Sequence, residues 1–310
     1  MRNELTALAQ EINSNYLFMK NQANELRKTE NLIKKINSLV IDISVCAVDG
    51  GILAHRMHGA DIAVYRSAGV RFIYENSKLK SCDYFPNRTP KSLTSLKHSL
   101  DEHEANLFRS LVRLKSEISC AIELLEKFSP EILLLDGSLT TLPSDRPEKE
   151  SELSVLYSEV MGLYQKLYSY SKEKNCIICG VIKDSRSRTL SSKFGLKCSD
   201  SLLCQYLLNE NEMTVAFPHD QNPNIYLFYI KPSDEDIPLR VEVLGKENIE
   251  KAASIVNSLS SLSKAFAYPA VLVESDMCAA LDPNEIESVE QTLCSLCGIR
   301  PLRRNSRPFR

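Results

Sequence analysis

Two short apolar runs in this chain end in the same way. Val45-Cys46-Ala47-Val48 leads into Asp49-Gly50-Gly51, and Ile132-Leu133-Leu134-Leu135 leads into Asp136-Gly137-Ser138. Apolar runs of this length, closed by a turn signal, predict buried strands. The Asp then falls at the rim of a sheet, where the Gly lets the backbone turn sharply.

Helical spacing dominates residues 4–40, with Leu5, Leu8, Ile12 and Leu17, then Leu26, Leu32, Ile33, Ile36 and Leu39, and Lys and Glu on the other faces. This predicts one or two amphipathic helices, either packed on the core or forming an arm that joins a second subunit. From 41 to 75 small and β-forming residues predict a meander of antiparallel strands. A Pro-bearing loop over 81–91 precedes a long helix over 97–128, with Leu107, Leu111, Leu114, Ile118, Ala121, Ile122 and Leu125 at spacings of three and four. An exposed loop over 140–152, a helix over 151–174 and a buried strand at Cys176-Ile-Ile-Cys-Gly-Val-Ile follow. A polar, helical stretch runs to about 213. Residues 224–231 and 239–244 predict a strand pair, 247–264 a helix, and the segment bearing Glu285, Glu287 and Glu290 a last helix.

The chain has 310 residues, 43% hydrophobic and 25% charged, which suits a globular fold with a sizeable core. Its net charge of −2 offers no global basic field, so a nucleic-acid partner would need a local basic groove. No apolar run approaches the roughly 20 residues that span a bilayer, and the first residues are polar without a signal-peptide core. The expectation is a cytoplasmic protein with no membrane partner. Ten cysteines are spread through apolar segments, where a reducing compartment keeps them as small core residues. Cys176/Cys179 and Cys294/Cys297 have CxxC spacing. On a strand, however, positions three apart face opposite sides, which spoils a zinc knuckle at the first pair. His55 and His58 have ligand-like spacing, but solvated turn histidines are far commoner.

The candidate chemistry gathers at the strand ends. If the two strands are neighbours, Asp49 and Asp136 meet, and paired carboxylates call for a divalent cation with oxygen ligands. Taken singly, each Asp-Gly reads first as an ordinary turn; it is the two together that bring the metal reading level with it. Glu117 falls beside the apolar stripe of the long helix, where a carboxylate needs a partner that a metal would supply. Lys183-Asp184-Ser185-Arg186-Ser187-Arg188, emerging from a buried strand, reads either as a solvated loop or as a phosphate site built from cations and hydroxyls. The tail from Arg300 is basic and lacks core positions. Carboxylate ligands favour magnesium or manganese over zinc, and two such ions about 3.5–4 Å apart support in-line attack on a phosphodiester.

In their order and spacing, several segments resemble the NurA nucleases of archaea. These are Ala47-Val48-Asp49-Gly50-Gly51, the long helix with Arg113 and Glu117, Leu134-Leu135-Asp136-Gly137-Ser138-Leu139, Gly180-Val181-Ile182-Lys183-Asp184-Ser185-Arg186-Ser187, and Tyr268-Pro269 with Asp276. The resemblance spans about 41–285. It implies an α/β, RNase H-like mixed β-sheet flanked by helices, with an N-terminal helical extension. It further implies a metal-dependent DNA nuclease, acting on single strands and duplex ends in DNA end resection and recombinational repair. By the same resemblance Asp49, Glu117 and Asp136 are the catalytic metal ligands for Mn2+ or Mg2+, and Lys183, Ser185 and Arg186 meet the substrate. Asp276 is a further acidic residue of the late motif, and Glu104 competes with Glu117 for the helix position. The implied partners are DNA, a HerA-type hexameric ATPase/translocase and a second copy in a homodimer. Gly51 departs from the small polar residue usual after the first Asp-Gly. The domain organisation expected is a helical arm over 1–40, a nuclease domain over 41–290 and a basic tail over 291–310. Two readings compete with the nuclease: an inactive RNase H-like scaffold that holds DNA or a translocase, and an unrelated α/β phosphate-binding protein using Lys183 to Arg188.

Overall fold

The computed structural model describes residues 2–29 and 31–298, so the basic tail from Arg300 lies outside the described residues. In chain order the elements are α1 (Arg2–Leu26), β1 (Ile33–Lys35), β2 (Ser44–Met57), β3 (Ala60–Glu75), β4 (Lys78–Phe85), β5 (Leu93–His98) and α2 (Glu102–Phe128). Then come β6 (Ile132–Asp136), α3 (Ser154–Glu173), β7 (Ile177–Ile182), α4 (Thr189–Lys193), α5 (Asp200–Leu207), β8 (Glu212–Thr214) and β9 (Phe217–His219). The last are β10 (Asn222–Lys231), β11 (Leu239–Leu244), α6 (Ile249–Leu259), α7 (Ala270–Ala279) and α8 (Pro283–Cys297). The described residues form two compact units, one of residues 2–29 and 31–41 with 179–270, the other of 42–178 with 271–298.

The second unit is built on β2 and β3, which pair antiparallel from Ser44↔Ile73 to Met57↔Ala60. His58-Gly59 closes this hairpin with Gly59 at φ +85°, the left-handed conformation a tight two-residue turn needs. Strand β3 then carries β4 along its C-terminal half and β5 along its N-terminal half. Helix α2 crosses over, and β6 returns parallel to β2, in register from Val45↔Ile132 to Val48↔Leu135. An antiparallel hairpin, a helical crossover and a strand returning parallel to the first make the mixed, RNase H-like arrangement that the resemblance implies. The strands are apolar on both faces because both are covered. Val45, Ala47, Leu133 and Leu134 are fully buried, as are Leu111 and Leu124 of α2.

Helix α2 starts where its sequence says it should. The Asp101 carboxylate accepts the Glu104 N–H at 2.8 Å, and the Glu104 carboxylate accepts the Asp101 N–H at 3.3 Å, a reciprocal cap. It ends at Ser129 with φ 42°.

The first unit pairs β1 with β8, β8 with β10, β10 with β11 and β11 with β7, all antiparallel, with β9 also on β10. Met19 and Ala23 from the end of α1 are buried with Leu203, Leu207 and Tyr229. The Arg27 guanidinium grips Glu212 at 2.8 and 3.1 Å. Buried Asp200 accepts the Leu190 and Ser191 N–H groups and the Tyr229 hydroxyl, which ties α4 and α5 to β10.

Five local expectations need correcting. Asp49-Gly50-Gly51 does not close a strand or turn the chain: β2 runs through it to Met57, because β3 pairs with every residue from Ser44 to Met57, and only Asp136 stands at a strand end. Residues 33–35 form a strand, not a second helix, because β8 offers Ile33 a pairing edge. The Pro-bearing stretch begins inside β4, and Lys97 and His98 belong to β5, so the long helix starts at Glu102. The polar stretch before 213 holds two short helices, and α6 stops at Leu259. His55 is a strand residue whose Nδ1 lies 2.7 Å from Glu290 of α8, not a turn residue. All ten cysteines are free thiols. Among the described residues, no helix is long and apolar enough to cross a membrane.

Candidate metal centre

The β2–β6 register decides what meets at the rim of the second unit. Its last pair is Val48↔Leu135, so Asp49 and Asp136 are the next residues on adjacent parallel strands. A third carboxylate comes from Asp276 in the last turn of α7. Ligand oxygens of Asp49, Asp136 and Asp276 all lie within 4.8 Å of one another, and this is the one such acidic cluster among the described residues. The three grade from the interior outward: Asp49 is 7% exposed, Asp136 is half-buried and Asp276 is exposed.

Such a cluster holds its charge at a cost. Burial, then the neighbouring Asp136 and a carboxyl–carboxyl hydrogen bond with Asp276, push the Asp49 carboxyl up to about 7. The Gly50 N–H donates to Asp49 Oδ1 at 2.7 Å and works in the opposite direction.

Glu117 reaches the same rim from α2, where it is buried. Its Oε1 accepts from Arg113 Nη1 at 2.7 Å, one helical turn away. Burial pushes this carboxyl up to about 8, with Arg113 opposing and Asp49 and Asp136 adding to the rise. The same Glu117 charge raises the Arg113 guanidinium further above its ordinary value. The glutamate lies flat over Gly50: a Cβ there would sit 2.6 Å from Glu117 Cγ and 2.7 Å from Oε1. Glu104, the competing helix residue, is spent on capping α2 and accepts the Ser151 hydroxyl at 3.0 Å. Thirteen residues of helix separate it from Glu117, about 20 Å.

The substrate-side residues of the sequence reading belong to the first unit. Lys183 Nζ lies 4.9 Å from the ring centroid of Tyr268, whose hydroxyl donates to the Val181 carbonyl at 3.1 Å. The Ser185 hydroxyl accepts the Ser187 N–H at 3.3 Å, and Arg186 is exposed.

The structure thus brings Asp49 and Asp136 together and joins Asp276 to them, while the Glu117 carboxylate is held by Arg113. Asp276 gave a weak signal in the sequence because it ends no Asp-Gly strand and sits in an apolar helix. Three carboxylates gathered this closely fit a divalent cation with hard oxygen ligands, magnesium or manganese.

The NurA domain family model matches residues 43–281 of this chain. The structure superposes on the NurA nuclease from Sulfolobus solfataricus with a TM-score of 0.61 at 18% identity, over 95% of each chain. A NurA structure bound to dAMP and manganese gives a TM-score of 0.60 at 12% identity, over 96% of this chain and 97% of that one. No curated protein sequence matches. With the family model covering most of the chain and the same fold found over nearly its whole length, the chain belongs to the NurA nuclease family.

Proposed function

We propose that this chain is a divalent-metal-dependent deoxyribonuclease that hydrolyses phosphodiester bonds in single-stranded DNA and at duplex ends. The observation that carries the reading is the Asp49–Asp136–Asp276 cluster, with oxygens within 4.8 Å of one another, where the end of β6 lies beside the middle of β2. Asp49 and Asp136 are the core ligands for Mn2+ or Mg2+, Asp276 closes the set from α7, and Glu117 is the helix carboxylate of the same centre. When bound, the ion supplies a polarised phosphoryl oxygen and an activated water.

The protein's own work is to hold the carboxylates in place and keep their charge in register with the ion. Strand pairing fixes Asp49 and Asp136. The Gly50 N–H favours the ionised form of Asp49. Arg113 compensates Glu117 while no cation does so. Lys183, Ser185 and Arg186 contact the DNA backbone, Lys183 steadied by the Tyr268 ring. The manganese and dAMP held by the NurA structure that shares this fold agree with this substrate and cofactor class.

For the cellular setting the reading is DNA end resection with a HerA-type hexameric translocase, by a homodimer, on the strength of the resemblance to NurA nucleases. In support of the homodimer, α1 leaves Leu5, Leu8, Ile12, Leu17 and Phe18 at least half exposed.

The test is digestion of labelled linear DNA with manganese, with magnesium and with EDTA, beside Asp49→Ala and Asp136→Ala. Cleavage that needs metal and vanishes in folded variants is the expected result. A wild type inert with every metal and with its translocase present overturns the nuclease reading in favour of the scaffold.

A further inference from the structure

The third carboxylate of the cluster is carried by α7, whose last carbonyl, that of Ala279, closely approaches β2 at Gly51. Gly51 follows two positions after Asp49, so both face the same side of the strand. A Cβ built on Gly51 falls inside hard contact with the Ala279 carbonyl oxygen, with the Ala279 carbonyl carbon at 3.1 Å and Leu281 Cγ at 3.5 Å. The obstructing atoms belong to the backbone at the end of α7, so no side-chain rotation relieves them. Asp276 lies one turn earlier in that helix, and its carbonyl accepts the Ala280 N–H at 2.9 Å. The last turn is therefore a hydrogen-bonded unit, and displacement of Ala279 carries Asp276 with it.

We propose that Gly51 is a positioning residue for the metal centre: its missing side chain lets the end of α7 seat directly on β2, and that seat sets where the Asp276 carboxylate stands relative to Asp49 and Asp136. The proposal rests on the metal-centre reading above. Restoring ordinary van der Waals contact over an added methyl moves α7 back by about 1 Å. Metal ligands tolerate displacements of about 0.2 Å, and loss of their supporting contacts typically costs 10- to 100-fold in affinity. Gly69 offers the control. A Cβ there strikes the Leu124 side chain of α2, a core clash that does not involve α7.

The experiment is a manganese titration of the whole protein, by calorimetry and by the electron paramagnetic resonance signal of free Mn2+. It compares the wild type, Gly51→Ala, Gly69→Ala, Asp276→Asn and the Gly51→Ala/Asp276→Asn double variant, with thermal melting on each. The expected result is a loss of at least tenfold in affinity for Gly51→Ala. Gly69→Ala should lower the melting temperature yet bind as the wild type does. The double variant should bind no more weakly than Asp276→Asn alone, because Gly51 acts through Asp276. Wild-type affinity in Gly51→Ala, or losses that add fully in the double variant, overturns the inference and leaves the metal centre standing. If Gly51→Ala fails to fold at the standard temperature, the titration is made on the folded variant at reduced temperature; a Gly51→Ala that folds at no temperature overturns the inference, because the seat then serves the fold rather than the ligand. A wild type that takes up no manganese overturns the metal-centre reading itself.

Discussion

Manganese binding should release a proton at pH 6 and almost none at pH 8, and its affinity should climb accordingly. The perturbation is pH alone, and the responsible group is Asp49, whose carboxyl is raised from 3.8 to about 7 by burial, Asp136 and Asp276. With that value about nine molecules in ten carry the proton at pH 6 and about one in ten at pH 8. A cation takes the ionised carboxylate, so the apparent association constant rises about tenfold from pH 6 to pH 8, and about tenfold per pH unit below that window. Glu117, raised to about 8, extends the rise upward if it also loses its proton to the ion. The stability of the metal-free protein runs the other way. A carboxyl raised in the fold contributes stability below its unfolded value of 3.8, and that contribution is lost as pH climbs through about 7. Melting of the metal-free protein should therefore fall between pH 5.5 and 8, while the increment given by manganese grows. The assay is titration calorimetry at pH 6, 7 and 8 in two buffers of different protonation enthalpy, which counts released protons directly. Equal affinity at pH 6 and 8 with no proton released at pH 6 would refute the placement of Asp49 in a buried carboxylate cluster.

Arg113→Gln leaves the buried Glu117 without its cation, which costs about 3 kcal/mol in a urea melt at pH 8 and less at pH 6, where Glu117 is neutral. Lys183→Ala should weaken binding of oligo-dT in EDTA and lower the slope of log affinity against log salt by about 0.7, the signature of one lost phosphate contact, measured by fluorescence anisotropy. An unchanged slope would remove Lys183 from the substrate surface. Replacing Leu8 and Ile12 of α1, both at least half exposed, with Glu should convert a dimer to a monomer in light scattering without lowering the melting temperature. A dimer that persists would place the contact elsewhere.

Much of the fold was legible because the chain punctuates its strands clearly. The strand end at Asp136-Gly137, the stripe on α2 and the β10–β11 pair each depend on local pattern, and each pattern agrees with its neighbours. At Asp49-Gly50 the same local signal misled, because β3 pairs with β2 straight through it. What local pattern left out was decided by contacts distant in sequence. Ile33 became a strand residue because β8 lay ready to pair with it. Asp276 joined the cluster because the end of α7 sits against Gly51, a fact carried by an absent side chain and a backbone carbonyl. The departure at Gly51 therefore has a physical reason in this chain. The Arg113–Glu117 pair was readable as an i, i+4 spacing, but its burial was not, since Glu117 lies beside the apolar stripe rather than within it.

The order in which the three carboxylates leave the ribosome has a consequence of its own. Asp49 and Asp136 belong to one continuous stretch, but the chain then builds most of the other unit before returning with Asp276, 140 positions after Asp136. At roughly 5–20 residues per second that delay lasts about 7–28 s. Throughout it the nascent protein carries Asp49 and Asp136 and lacks Asp276. A ribosome-bound fragment is thus an incomplete nuclease, and its full capacity to cut DNA arrives only when the segment from 271 onward has been made and docked. Threading the chain out of one unit and back again acts as a timer on a destructive activity.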